Sequence, residues 1–189
     1  FFILHSSFFI LHSSFFIPMS VADLFIESTI NRFQNEYLPR LKRALEVLPP
    51  EDLWWRPHPN TTSVGNLLCH LEGNVRQWIL SGIGGQEDFR NRALEFSRLE
   101  GGTAEELVLA LETTVNAACD VIKNLDETGL MATYAIQGRS PSGVEAIYHV
   151  LEHFGWHLGQ IVWAAKFRAG EQHQLAFYKN TELNTSRNG

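Results

Sequence analysis

Three of the eight histidines lie four residues apart, at His149, His153 and His157, within a long apolar run. In an α-helix each four-residue step turns the side chain by about 40°, so adjacent members of this row share one face. Two imidazoles on that face can reach one metal ion, and neutral imidazole is a good ligand for divalent transition metals. The spacing therefore indicates a metal site formed by two of the three histidines.

A further ligand must come from another part of the chain, and His70 is the other histidine inside a predicted core helix. We therefore predict that His70 joins two members of this row as a metal ligand, with His153 and His157 as one such pair. His149 could replace His157 on geometric grounds, and otherwise it supports the site. Imidazoles buried close together repel when protonated, and a metal ion compensates this cost. Three protein ligands leave a position for water or a substrate, which favours a chemical function.

Four stretches carry apolar residues at helical spacing. The first runs from Ser20 to Val47, and Pro39 is expected to kink or split it because proline lacks the backbone donor. The second is capped by Ser63 and runs to about Ser81, where glycines end it. These two stretches predict the first two helices of a bundle.

The other two helices begin at capping boxes, in which a hydroxyl and a carboxylate three residues later satisfy free backbone donors. Thr103 and Glu106 open a helix through Leu125, and Ser142 and Glu145 open the longest one, to about Ala169. The stretch 130–136 could extend briefly, but no convincing strand pattern is present. The chain therefore predicts an all-α protein with a four-helix bundle.

The two ends of the chain differ from this pattern. Residues 1–18 repeat FFILHSS twice and begin a third copy, and Met19 would be a normal start, so we interpret them as an artefactual extension. The alternative is a genuine apolar arm that packs on the domain or on a partner. The domain is expected over 19–170, followed by a polar, irregular tail over 171–189.

Composition excludes several kinds of partner. The net charge is −6 and the basic residues are scattered, so neither nucleic acid nor an anionic membrane surface is expected to bind. The two cysteines, Cys69 and Cys119, show no CxxC spacing. They favour a reducing, cytoplasmic location and indicate no disulfide framework.

Two stretches resemble the signature motifs of the DinB-like superfamily: LLCHLEGN at 67–74 and HVLEHFGWHLGQI at 149–161. The resemblance implies an up-down-down-up four-helix bundle. It also implies a metal site formed by His70 together with the pair His153 and His157, which Gly159 and Gln160 follow. The chain is most similar to an uncharacterised branch with a histidine four residues before the pair, here His149. A homodimer is expected from the same resemblance.

The residues around the histidines limit which reactions the site could catalyse. A zinc protease helix needs Glu directly after its first histidine, but Phe154 stands there, so that class is excluded. Glu152 precedes His153 and lies about 100° around the helix from it. We predict that Glu152 and Gln160 support the site, with an ordinary surface carboxylate as the alternative for Glu152. Cys69, next to His70, is interpreted as a core residue.

The resemblance further implies a metal-dependent enzyme in which a low-molecular-weight thiol is activated and attacks an electrophile. One divalent transition metal ion is expected as the cofactor, with zinc or nickel favoured, and a small molecule is expected as the substrate. A metal-dependent hydrolase and a non-catalytic metal- or ligand-binding protein are the alternatives. Trp78, Trp156 and Trp163 could line an apolar substrate pocket or could serve packing alone.

Overall fold

The computed structural model describes residues 19–177, apart from the side chain of Gln172. The repeats at 1–18 and the end of the tail lie outside the described residues. Over the part of the chain that is described, there are helices and two isolated β-bridges but no strand, which confirms the all-α prediction. Within the same residues, no helix is both long and apolar enough to cross a membrane.

The first bundle helix continues past its proline. It consists of α1 (Val21–Asn31), a π-helical segment (Arg32–Tyr37) and α2 (Leu38–Val47). A π-helical turn is wider than an α-helical turn and changes which carbonyl each amide reaches. The missing donor of Pro39, the second residue of α2, is thus accommodated by local widening rather than by a break.

The second bundle helix is α3 (Val64–Val75), which continues as a π-helical segment (Arg76–Ile83). A short helix, α4 (Arg92–Ser97), then precedes the third bundle helix, α5 (Ala104–Lys123). Another short helix, α6 (Glu127–Met131), precedes the fourth, α7 (Gly143–Ala169). Both predicted capping boxes are present, at the starts of α5 and α7.

Pairs of residues in contact give the direction of each helix. The first helix and α7 run parallel, because Tyr37 lies beside Gly155 and, farther along both segments, Asp52 binds Arg168. The second and third helices are also parallel, since Thr114 donates a hydrogen bond to Glu72 and Gly84 farther along faces Val121.

The second and fourth bundle helices are antiparallel. His70 near the middle of α3 contacts His157, whereas Trp78, two turns later, packs against the earlier residue His149. Taken with the two parallel pairs, this gives the up-down-down-up order. The predicted architecture is therefore confirmed, and it brings α3 and α7 side by side.

The core fills the space between the four long helices. Phe33 and Phe154 meet edge to face at 5.7 Å, and Tyr37 stacks on Phe154 at 5.4 Å. Aromatic pairs in these arrangements stabilise a core beyond the effect of area burial alone. The packing fixes α7 against the first helix, so its adjacent face, with the histidines, is presented to α3. Other fully buried side chains include Leu41, Leu68, Leu71, Val115, Ile122, Ile147 and Ile161.

Candidate metal site

Three imidazoles predicted from the sequence converge between α3 and α7. The Nε2 atoms of His70 and His157 each lie 3.1 Å from Nε2 of His153. One ligand atom from each residue lies within 4.8 Å of the others, and His70 is buried while the other two are partly buried. The arrangement places three nitrogen donors around one point.

His70 is oriented by a carboxylate on α4. Its Nδ1 donates a hydrogen bond to Oε2 of Glu95 at 2.7 Å, and the Phe96 ring packs against the imidazole with centroids 4.6 Å apart. Because an ionised carboxylate only accepts, the proton of neutral His70 lies on Nδ1. Its Nε2 lone pair then faces the other two histidines, as metal binding requires.

Glu95 is itself held by an arginine. Arg90 donates from Nε to Oε1 at 2.7 Å and from Nη2 to Oε2 at 2.9 Å, and its side chain is only 3% exposed. Burial by itself would raise the pKa of Glu95, but hydrogen bonds from His70 and Arg90 outweigh it and keep that pKa below its usual value. Glu95 therefore remains an anion beside the site.

The position of α4 depends on polar contacts with α3. Asn66 is fully buried and donates from Nδ2 to the carbonyl oxygens of Glu95 and Arg98, each at 2.9 Å. Asn91 caps the start of α4, where its side chain accepts from the amide of Leu94. These contacts hold the short helix against α3, so that Glu95 faces His70.

His157 has a different partner, one turn later on its own helix. Its Nδ1 lies 2.6 Å from Oε1 of Gln160, a geometry in which the nitrogen donates to the amide oxygen. As with His70, this leaves the Nε2 lone pair directed toward the cluster. Gln160 thus lies where the sequence predicts a supporting residue.

His153 lies between two lone pairs. If His70 and His157 both carry their proton on Nδ1, the single Nε2–H of neutral His153 can donate to only one of them. One close nitrogen pair would remain without a hydrogen bond, and Nδ1 of His153 has no partner among the described residues. A metal ion can coordinate the Nε2 lone pairs of all three histidines at once. In a tetrahedral zinc site, nitrogens at about 2.0 to 2.1 Å from the metal would lie about 3.3 Å apart, so the residues present fit a metal ion.

The two partly buried histidines are kept neutral by their surroundings. Burial, followed by the neighbouring imidazoles of His157 and His70, lowers the pKa of His153 to about 3. Burial also lowers the pKa of His157, although the hydrogen bond with Gln160 opposes the shift. Metal ligation requires neutral imidazole, so both side chains are in the binding form at neutral pH.

His149 lies beside the cluster rather than inside it. Its ring packs on Trp78 with centroids 4.0 Å apart, and it stacks on His153 at 5.6 Å. Burial is the main reason that the pKa of His149 is lowered. The structure therefore places this residue against one of the three converging imidazoles, while Trp78 covers it from the second helix.

Other residues considered in the sequence lie away from the three nitrogens. Glu152 is exposed, and within 19–177 no hydrogen bond joins it to the cluster. Cys69 is half-buried, with Sγ 3.9 Å from Nη1 of Arg98. Burial raises the pKa of its thiol. The structure thus leaves Cys69 outside the converging set, and it lines a separate cavity of about 300 Å³ with Glu72 and Arg76.

Glu95 and Arg90 are the residues that the sequence analysis missed. Both lie in the polar stretch between the second and third predicted helices, which carries no long pattern of apolar residues at helical spacing. A local signal is nevertheless present, because Asn91 before RALEFS is a suitable N-cap for a short helix. That signal predicts α4 but not the partner of Glu95, which lies 25 residues earlier.

Fold and motif together define a DinB-like four-helix bundle. The chain belongs to the family described as "Protein of unknown function (DUF1572)", whose model matches residues 20–180, and this family is part of the DinB-like group. A DinB-like protein from Bacillus cereus ATCC 10987 has a similar structure, with a TM-score of 0.58 and 18% sequence identity. The match covers 74% of this chain and 89% of the other. No curated protein matches the sequence.

Proposed function

We propose that His70, His153 and His157 bind one divalent transition metal ion and that the protein is an enzyme that uses it to activate a low-molecular-weight thiol. The observation that carries this proposal is the 3.1 Å approach of Nε2 of His153 to both other Nε2 atoms. When bound, a divalent ion lowers the pKa of a thiol or water that coordinates it, so a nucleophile exists at neutral pH.

The surrounding carboxylates support a mechanism without a protein base. Glu95 already accepts hydrogen bonds from His70 and Arg90, so it orients a ligand rather than taking a proton from a substrate. Glu152 is exposed and makes no hydrogen bond to the cluster within the described region. The role that this leaves to the chain is to hold the three imidazoles in place.

The burial and raised pKa of the two cysteines support the proposal that the reacting thiol is a substrate from solution. Cys119 is buried, and burial raises its pKa to about 12, so it carries almost no thiolate at neutral pH. Cys69 lies outside the histidine cluster and its pKa is raised too. Neither side chain is suited to act as the nucleophile, so a thiol that attacks an electrophile must enter from solution.

Metal content is the first test. Wild-type protein, His153→Ala and His58→Ala are loaded with zinc or nickel, desalted and measured by plasma mass spectrometry. His58 is exposed and is not one of the three converging histidines, so its variant is the matched control. We expect one ion per chain in wild type and in His58→Ala, and loss of the ion in His153→Ala. Equal metal in all three would refute the site.

Turnover is the second test. Metal-loaded protein is incubated with cysteine or glutathione and 1-chloro-2,4-dinitrobenzene, and thioether formation is followed by absorbance. In this reaction the thiol sulfur bonds to the ring carbon, chloride leaves with the bonding electrons, and the thiol proton goes to solvent. We expect turnover that His153→Ala loses and His58→Ala keeps. Metal binding without turnover of any thiol would instead indicate a binding protein.

A further inference from the structure

A second and larger cavity lies one helical turn from the histidines. Its volume is about 580 Å³, within the roughly 300 to 1,000 Å³ of typical small-molecule sites. The wall consists of the start of α3, the second half of α7 and the loop after the first bundle helix. Its lining residues include Trp55, Leu67, Trp156, Gln160, Trp163 and Arg168.

The cavity continues the groove that contains the histidine cluster. Leu67 lies one turn before His70 on α3, and Gln160 lies one turn after His157 on α7, a displacement of about 5 Å along each axis. Gln160 is shared by the two sites, because it lines the cavity and its Oε1 is 2.6 Å from Nδ1 of His157. A small molecule in the cavity would therefore lie next to a proposed metal ligand.

The cavity wall is rich in flat aromatic faces. Trp156 and Trp163 are 63% and 62% exposed, although large aromatic side chains are usually well buried. Trp163 stacks on Phe167 at 5.3 Å, and Phe167 stacks on Trp55 at 6.0 Å. These contacts align the rings of Trp163, Phe167 and Trp55 in one stack, and the exposed indole faces of Trp156 and Trp163 can stack with a flat ring.

The far end of the cavity presents an unused hydrogen-bond donor. Arg168 donates from Nη2 to Asp52 at 2.6 Å, and Trp55 covers its guanidinium at 4.5 Å. The Nε atom of Arg168 is buried and therefore closed to a ligand. The side chain as a whole is 33% exposed, and within the described region its Nη1 atom makes no hydrogen bond, so Nη1 can donate to an acceptor on a ligand. Because Asp52 neutralises the arginine, an uncharged oxygen suits this end.

We propose that this cavity binds an uncharged small molecule that combines a flat aromatic ring with an oxygen acceptor. The ring stacks on the tryptophans, and the oxygen accepts from Nη1 of Arg168. If the proposed function holds, on which this step rests, the molecule is the electrophile that the activated thiol attacks at the histidine cluster. The binding step itself needs no metal, so it is separable from that function.

The test uses ligand-observed NMR on metal-free and metal-loaded protein with a matched pair of probes. The probes are 2-acetylnaphthalene and its saturated counterpart 2-acetyldecalin, which share the ketone but not the flat ring. We expect the aromatic ketone to bind at least threefold more tightly, with or without metal. It should also bind more tightly than 2-ethylnaphthalene, which lacks the oxygen. Equal affinity for the aromatic and saturated ketones would overturn the proposal.

Two variants of α7 locate the binding. Trp163→Leu keeps an apolar side chain but loses the aromatic face, and it should weaken 2-acetylnaphthalene about threefold to tenfold. Tyr148→Leu removes a comparably exposed aromatic side chain of the same helix away from the cavity, and it should leave the affinity unchanged. Equal weakening by both variants would contradict the assignment.

Two further outcomes separate this inference from its alternatives. If light scattering shows a dimer that Trp163→Leu converts to a monomer, a second copy of the chain covers the cavity and the proposal is wrong. His153→Ala should lose metal yet bind 2-acetylnaphthalene normally, which supports the cavity even if thiol transfer is never observed. Loss of ring binding in His153→Ala, with the fold intact by circular dichroism, would count against an independent cavity.

Discussion

Glu95 Oε2 lies 2.7 Å from Nδ1 of His70, although 25 residues separate the two in the chain. The contact joins a short helix to the second bundle helix and fixes which nitrogen of His70 carries the proton. The same carboxylate is held by Arg90 through two hydrogen bonds. Orientation of the proposed ligand thus depends on a network whose members belong to two helices and a loop.

Glu95→Gln is expected to weaken metal binding by about tenfold to a hundredfold, as is typical when the partner of a ligating histidine is changed. The amide keeps the shape of the side chain but loses the charge that Arg90 and His70 share. Competition for zinc with a chromophoric chelator measures the affinity. Glu100→Gln, an exposed change in the same connection, is the control and should have no effect. Unchanged zinc affinity in Glu95→Gln would argue that the carboxylate does not orient His70.

The two cysteines should differ in their reaction with iodoacetamide. Cys119 is 3% exposed and burial raises its pKa to about 12, so its thiolate is scarce at pH 8. Cys69 is half-buried, and burial raises its pKa as well, but its thiol is more accessible than that of Cys119. At pH 8, mass spectrometry should show slow labelling of Cys69 and labelling of Cys119 only after denaturation. Rapid labelling of Cys119 in the native protein would contradict its buried position.

The start of α7 predicts a pH-dependent contribution to stability. The amide and hydroxyl of Ser142 bond the Glu145 carboxylate and lower its pKa. A carboxyl group whose pKa is lower in the folded state stabilises the fold at pH values above its unfolded pKa, about 4.3. This stabilisation is lost as the pH falls through the pKa of the folded state. Glu145→Gln should therefore lower the melting temperature at pH 7, with a smaller difference near pH 3.5. An equal difference in melting temperature at pH 7 and at pH 3.5 would contradict this prediction.

Most of the bundle was predictable because its signals are local. The boxes at Thr103 and Ser142 depend on residues three positions apart, and the structure has both. Histidines four apart on one helix necessarily share a face. Pairing of His70 with that row required only that the second and fourth helices pack together.

The environment of the ligands was not predictable in the same way. Glu95 belongs to a helix of six residues, too short for an apolar period, and its contact with His70 is tertiary. The orientation of α4 depends on the buried amide of Asn66, which reaches two carbonyl groups about 30 residues later. Such contacts leave no repeating pattern, because each joins single residues across a packed interface.

Gly73 gives the last prediction, because the site has no room for a side chain there. A Cβ at this position would overlap Oε1 of Glu95 and come within 3.0 Å of Nε of Arg90. Helix propensity alone favours Gly→Ala by about 1 kcal/mol. Glu95 is pinned by His70 and Arg90, however, so it cannot move without breaking the network. We expect Gly73→Ala to weaken zinc binding about as much as Glu95→Gln and to destabilise the fold in urea.

Gly159→Ala is the matched control, since it lies in α7 with nothing near its Cβ. It should stabilise the helix by about 0.5 to 1 kcal/mol and leave zinc affinity unchanged. If both alanine variants behaved alike, close packing of Gly73 on Glu95 would not be what orients His70.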